Sequence, residues 1–264
     1  MPFTIAHPVA VLPLIKPLGK LAIPAALIIG SMSPDFAYFF PFPVSRLQSH
    51  SFLGIFWYCL PVSLLSYVGF YLLYTPLVHA ISPNMLSSRF PSAWGVGKFP
   101  KVLPLPVFVS IVIGAITHII WDSFTHPHGL SVQMFSLLEA PIISIGGYTL
   151  YWYKVLQHGS TLIGLCILFW LSVRWFRVTE PSGIPSMLSF RMRTFILVLI
   201  FIPSLIAGVF LGIEDIDPTA GILIQLRALL AEAIFSGGSL FVASFTLAAC
   251  VLFLKNNYQL LDRS

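Results

Sequence analysis

Between Thr117 and His126 the chain reads Thr-His-Ile-Ile-Trp-Asp-Ser-Phe-Thr-His, which sets three potential metal ligands, His118, Asp122 and His126, at the end of a segment otherwise fit for lipid. An ionisable side chain in such a segment is costly and therefore points to function by default. On a helix, His118 and Asp122 stand four residues apart and project from one face, as two ligands of one ion must. The same spacing suits a structural polar pair between helices, and Asp122 could also orient a ligand instead of binding the ion. His126 lies eight residues after His118, but Pro127 is expected to end the helix there, so His126 either ligates or caps the pocket.

Other candidates lie at the ends of apolar segments. Asp35 follows Pro34, where a ligand and a helix N-cap are both open readings. His50, between Ser49 and Ser51 and directly before an apolar run, is a ligand or an interfacial residue of a helix start. His7 precedes Pro8, which suits the first turn of a helix and leaves the imidazole at its mouth. His158 and Ser160 open a long apolar segment, where they would bind substrate, support a ligand or cap the helix. Glu139 is a candidate base in a weakly defined stretch, and His79 and His128 are assigned no role.

Neutral imidazoles and carboxylates suit Zn²⁺, and carboxylates also suit Mn²⁺ or Fe²⁺. With such an ion acidifying water and polarising a phosphoryl or carbonyl oxygen, a hydrolytic reaction needs no side-chain nucleophile. Asp122 or Asp35, if not ligating, would be the base. Cys59, Cys166 and Cys250 are far apart within apolar runs and read as small hydrophobes, so sulfur has no part. The sequence contains no Gly-x-Ser-x-Gly elbow, Walker loop or dinucleotide fingerprint to support serine-hydrolase, nucleotide or redox chemistry.

The elements that must position these residues are membrane helices. Hydrophobic residues make up 57% of the 264 residues and charged ones only 9%, and the mean hydropathy is +0.92, far from the composition of soluble domains. Apolar segments of roughly bilayer length occur at 52–76, 104–121, 158–176, 193–213 and 232–254. The segments 5–15 and 21–33 are shorter and flank Lys16-Pro17-Leu18-Gly19-Lys20, predicting a helical hairpin that forms two tilted spans or a re-entrant pair. The stretch 131–151, with Gly146-Gly147, predicts an interfacial helix and loop. The fold expected is an all-α polytopic bundle, with residues 1–177 as a membrane-embedded metal-site domain and 178–264 adding two transmembrane helices to the same bundle.

Eleven of the fourteen Lys and Arg residues fall in the turn 16–20, the loops 77–104 and 174–193 and the C-terminal tail, leaving Arg46, Lys154 and Arg227 in the alternate connections. The eleven-rich side is expected to be cytoplasmic. Asp35, His50, His118, Asp122, His126 and His158 then share the opposite face, and His7 joins them if 5–15 descends from that side. Basic residues in short loops orient a membrane protein and give no nucleic-acid footprint. The first residues lack a basic n-region and a cleavage site, so the N-terminus is expected to be retained.

The start Met-Pro-Phe-Thr-x-x-His-Pro, the run Gly30-Ser31-Met32-Ser33-Pro34-Asp35, Ser49-His50-Ser51, the stretch from His118 to His126 and Leu156-Gln157-His158-Gly159-Ser160 together resemble a bacterial family of membrane proteins of unknown function. That family is similar to inner-membrane metal-dependent hydrolases, which have an opening His, a Pro-Asp-x-Asp, a Thr-His-Ser and a His-x-x-x-Asp in the same order. The resemblance covers about residues 1–177 and implies a helical metal site like that of the zinc-dependent phospholipase C group. This chain has Pro34-Asp35-Phe36-Ala37 where those hydrolases have their second Asp, so the resemblance does not carry over a full two-metal site.

These readings predict one or two divalent metals, zinc before manganese or iron, bound by His7, Asp35, His50, His118, Asp122 and His126 at the outer membrane face. The reaction expected is hydrolysis of an ester or phosphoester, with a lipid or lipid-linked substrate favoured by the location. A transporter using the same residues would need polar groups continuing to the cytoplasmic side, and 57–76 and 104–116 offer few. A scaffold with a closed, structural metal is the third reading.

Overall fold

A computed structural model describes residues 4–40, 43–95, 99, 104–145, 148–181, 185–186 and 188–261. Met1, Pro2 and Phe3 of the N-terminal motif, Gly146-Gly147 and the loop cations Lys98, Lys101 and Arg263 lie outside them. Among the described residues five helices are long and apolar enough to cross a membrane: Phe52–Ile81, Pro104–Thr125, Trp152–Val178, Phe190–Glu214 and, within Ile222–Leu261, the stretch Ile222–Asn256. With the nine-residue helix Pro24–Met32 they are designated α1 (Pro24–Met32), α2 (Phe52–Ile81), α3 (Pro104–Thr125), α4 (Trp152–Val178), α5 (Phe190–Glu214) and α6 (Ile222–Leu261). The chain forms two compact units, Met1–Tyr67 with Val102–Val173, and Val68–Lys101 with Arg174–Ser264.

In the first unit the N-terminal hairpin is helical but broken into six short pieces from Thr4 to Met32. Prolines at 8, 13, 17 and 24 remove backbone donors and restart the helix, and Gly19 turns the chain at φ 54°. The longest piece, α1, rises only about 13 Å against the ~30 Å of a bilayer core, so it cannot cross alone. It lies instead against α3, where Gly30 and Gly114 let the two backbones touch. A Cβ at Gly30 would stand 2.8 Å from Ile111 Cα, and one at Gly114 would stand 2.7 Å from Ser31 N. Ser110, fully buried, secures the entry to α1: its hydroxyl accepts from Ile23 N at 2.9 Å and donates to the Leu21 carbonyl at 2.9 Å. Backbone groups at a helix start otherwise lack partners in an apolar surround.

The long helix α2 contains π turns at Ile55–Cys59 and Phe70–Tyr74, each ending two residues before a proline, Pro61 and Pro76. A proline ring clashes with the preceding turn and lacks an N–H, and a π turn is one way for a helix to absorb it. Ile55, Tyr58, Cys59 and Val62 of α2 bury themselves with Ala115 of α3, and Phe36 and Ala37 pack on this cluster. Ala37 thus packs on an apolar core, where an unpaired charge would be costly.

After α3 the chain forms a short helix, Leu130–Met134, and then strands β1 (Pro141–Ile145) and β2 (Tyr148–Tyr151), antiparallel with Ile143 opposite Leu150 and Ile145 opposite Tyr148. The stretch expected as an interfacial helix and loop is therefore a helical turn plus a β-hairpin. The cause is local: Ile142, Ile143, Ile145, Tyr148, Thr149 and Tyr151 are β-branched or aromatic, and a Gly-Gly pair separates the two runs in the sequence.

The second unit packs α5 against α6 through small residues. A Cβ at Gly208 would meet the Ala233 carbonyl at 2.9 Å, and one at Gly237 the Ser204 carbonyl at 2.9 Å, an arrangement suited to helices that associate without a hydrophobic driving force. In both units the outer faces are apolar, with Leu65, Leu162 and Phe169 exposed in the first and Phe195, Leu199 and Leu247 in the second. Lipid, not water, is the solvent such faces match.

Candidate metal centre

The C-terminal half of α3, one end of the 3-10 turn Ser33–Tyr38 and the end of the short helix Arg46–Ser49 meet around a cluster of buried donors. Asp35, His50, His118 and Asp122 each offer one ligand atom, and these four atoms all lie within 4.8 Å of one another. His50 Nε2 is 3.4 Å from Asp35 Oδ1 and 3.4 Å from Asp122 Oδ2, while His118 Nε2 is 3.6 Å and 3.7 Å from the same two oxygens. Donors held at 2.0–2.1 Å around a tetrahedral zinc lie about 3.3 Å apart, so these spacings are close to the edges of such a polyhedron.

The hydrogen bonds on the far side of each ligand aim the near side inward. His118 Nδ1 lies 2.7 Å from the Ser31 carbonyl, which can only accept, so Nδ1 carries the proton and Nε2 presents its lone pair. His50 repeats the arrangement, with Nδ1 3.1 Å from the Arg46 carbonyl and 2.9 Å from Ser49 Oγ. Thr4 Oγ1 donates to Asp35 Oδ2 at 2.7 Å, leaving Oδ1 for the centre. Among the described residues the atoms so freed, His118 Nε2, His50 Nε2 and Asp35 Oδ1, are buried and find no hydrogen-bond partner, and the same holds for Asp122 Oδ1 and both ring nitrogens of His7. Buried polar atoms are rarely left orphaned, and a shared ion satisfies several at once. Replacing Thr4 by valine, which keeps shape and removes the donor, is expected to weaken zinc binding about 10–100-fold, read by competition with a chelating dye.

Two further histidines border the cluster in different ways. His7 stacks on His118 with ring centroids 3.8 Å apart and sets Nε2 3.7 Å from Asp122 Oδ1. Burial, reinforced by the neighbouring His118, lowers its pKa to about 3, so it stands neutral with a lone pair to give. His126, past the end of α3, turns Nδ1 to the Asp122 carbonyl at 3.2 Å and faces Gln157 Nε2 through Nε2 at 3.4 Å. Burial pushes its pKa down to about 3 against the opposing pull of Asp122. Its Nδ1 also lies 3.4 Å from Asp122 Oδ2, so His126 borders the four-donor group and supports Asp122 from the side.

Of the residues proposed from the sequence, the structure brings together His7, Asp35, His50, His118, Asp122 and His126, drawn from four stretches of chain. Asp35 makes no cap hydrogen bond, its second oxygen being taken by Thr4. His158 is exposed and outside the cluster. Ser160 accepts from Trp121 Nε1 at 3.2 Å and lines, with His7, Ala10, Ile163 and Ile167, a mostly apolar cavity of about 140 Å³. Glu139 is exposed.

Arg46 was legible only as a loop cation, yet its Nη2 donates to Asp122 Oδ2 at 2.9 Å. Lys154, another of the three cations on the sparse side, donates to Gln157 Oε1 at 2.8 Å and so fixes the amide that faces His126. Their isolation from the other eleven was the available signal. Tyr38 also lies in the field of the cluster: burial pushes its phenol up to about 12, with Arg46 opposing and Asp35 and Asp122 assisting, so the hydroxyl keeps its proton.

Compared with known proteins, residues 1–252 match the family model described as Domain of unknown function (DUF4184). No curated protein and no solved structure matches the chain.

Proposed function

We propose that this chain, which belongs to the DUF4184 family, is a membrane-bound metal-dependent hydrolase that acts on an ester or phosphoester. The observation that carries the reading is the convergence of ligand atoms from Asp35, His50, His118 and Asp122, of which Asp35 Oδ1, His50 Nε2 and His118 Nε2 are orphaned and aimed inward by hydrogen bonds on their far sides. Zinc fits this donor set best and manganese or iron fit next. When bound, the ion supplies Lewis acidity toward a phosphoryl or carbonyl oxygen and acidifies water. Asp122 and Asp35 anchor it, and His7, neutral and with neither ring nitrogen hydrogen-bonded at the edge of the cluster, is placed to add a further ligand. The apolar cavity that reaches His7 and Ser160 supports a substrate with an acyl chain. The resemblance to a bacterial family supports an inner-membrane location, and the distribution of Lys and Arg supports an orientation with the site on the extracytoplasmic face.

Transport finds little support along α3. The buried residues leading to the site are Val107, Ser110, Ile111, Gly114 and Ala115, and the one polar side chain among them is already bonded to Leu21 and Ile23. One observation favours a structural metal instead: four protein donors would complete a tetrahedral shell. The test combines water-proton relaxation of the manganese-loaded protein with hydrolysis assays on short-chain carboxyl esters and phosphoesters, with and without chelator. Exchangeable water at the ion and chelator-sensitive turnover support the hydrolase, whereas a water-free ion and no turnover leave the scaffold.

A further inference from the structure

The members of the metal cluster are almost wholly enclosed, with side-chain exposures of 0% for His118, 1% for Asp35, 5% for Asp122 and 12% for His50, but the Arg46 side chain is 37% exposed. Arg46 is therefore the part of the cluster that meets whatever approaches from outside. It touches two of the four ligands: its guanidinium holds Asp122 Oδ2 at 2.9 Å, and its carbonyl accepts from His50 Nδ1 at 3.1 Å. A guanidinium carries five N–H donors in a planar fork, and the bond to Asp122 uses one.

Charge decides what the remaining donors would face. Two carboxylates and one guanidinium sum to −1, and a divalent ion with neutral imidazoles brings the cluster to +1. Once an ion neutralises both aspartates, Arg46 is surplus positive charge in a poorly solvated place. We infer that Arg46 is a specificity residue that binds a non-bridging oxygen of an anionic phosphoryl group beside the ion, making the substrate class phosphoesters and not neutral carboxyl esters. Planar, forked donors suit a phosphate oxygen pair, and a site with net positive charge gives an uncharged ester no comparable gain.

This inference rests on the metal reading above, so its test separates the two. The zinc-loaded, detergent-purified full chain, Arg46→Met and Arg46→Lys are compared for metal content by mass spectrometry and for inorganic phosphate affinity by calorimetry. The expected result is metal content within about two-fold of the parent in at least Arg46→Lys, and phosphate affinity weakened about 10–100-fold in every variant that keeps its metal, as for loss of a charged hydrogen bond. A metal-loaded parent that binds no phosphate, or an Arg46→Met protein that keeps both metal and phosphate affinity, overturns the inference alone. Loss of metal from both variants also overturns it, making Arg46 only a positioning residue for Asp122. A parent that takes up no metal overturns the metal reading as well. A parallel titration with dihexanoyl phosphatidate identifies the source of the phosphoryl group: tighter Arg46-dependent binding than inorganic phosphate supports a lipid headgroup, and equal Arg46-dependent binding supports a free phosphoester.

Discussion

Replacing Asp122 by asparagine is expected to cut zinc affinity by more than about 100-fold, beyond the usual cost of losing a supporting residue, with the protein still folded. The amide keeps the volume of the carboxylate, so packing at the end of α3 is preserved. What changes is charge: the oxygen that lies 3.4 Å from His50 Nε2 and 3.7 Å from His118 Nε2 no longer carries it. Without an ion the parent encloses two carboxylates against one guanidinium, so the metal-free asparagine variant loses a buried charge instead of gaining a defect. The variant and the parent should therefore differ in opposite senses. Adding zinc at 100 times its dissociation constant should stabilise the parent by about 2.7 kcal/mol through linkage, and the variant by almost nothing. His118→Ala should lose metal equally, but it also removes the bond to the Ser31 carbonyl and leaves a void in a fully buried position, so its metal-free form should be destabilised. Thermal unfolding with and without zinc, alongside metal content by mass spectrometry, reads all three. Equal metal in parent and Asp122→Asn would reduce the His118 and Asp122 couple to a polar pair between helices.

That couple was legible because the helical period alone puts residues 118 and 122 on one face. Asp35, His50 and His7 were legible as candidates through their positions at segment ends and through the family resemblance, but not their convergence, which depends on how α1 and α2 approach α3. The roles of Thr4 and Arg46 depend on partners 31 and 76 residues away, a separation that no local pattern encodes. His126 was legible as a ligand or a cap of the pocket, but its surroundings were not: the end of α3 at Thr125 sets its ring beside the Asp122 carbonyl and carboxylate and beside Gln157. Among the elements, the five long apolar helices follow from composition and length. The π turns before Pro61 and Pro76 arise from local proline chemistry that a hydropathy window averages away. The β-hairpin was missed for a related reason, since its exposed isoleucines raise the apolar content of 131–151 in the same way as an interfacial helix would.

Gly114→Leu is expected to be the most damaging substitution outside the donor set, because it strikes the contact that holds the site's two halves together. A Cβ at this position stands 2.7 Å from Ser31 N and 2.9 Å from the Gly30 carbonyl carbon. These are backbone atoms, so no rotamer change relieves the clash and α1 must move from α3. Overpacking usually costs about 1–3 kcal/mol, and a rigid backbone contact puts this case at or above the upper end. The consequence reaches the metal centre one turn along the same helix. His118 Nδ1 meets the carbonyl of Ser31, the very residue displaced, at 2.7 Å, and a separation of about 1 Å takes that pair beyond hydrogen-bond range. The imidazole then loses its fixed tautomer and aim, so zinc affinity should fall together with stability, although no ligand has been changed. Gly159→Ala is the matched control: the added Cβ meets nothing within 4 Å on α4, and alanine in an open helical position should stabilise by about 0.5–1 kcal/mol. Chemical or thermal unfolding in detergent and zinc content would separate the two glycines. If Gly114→Leu kept full metal occupancy, the α1 and α3 crossing would not be what aims His118.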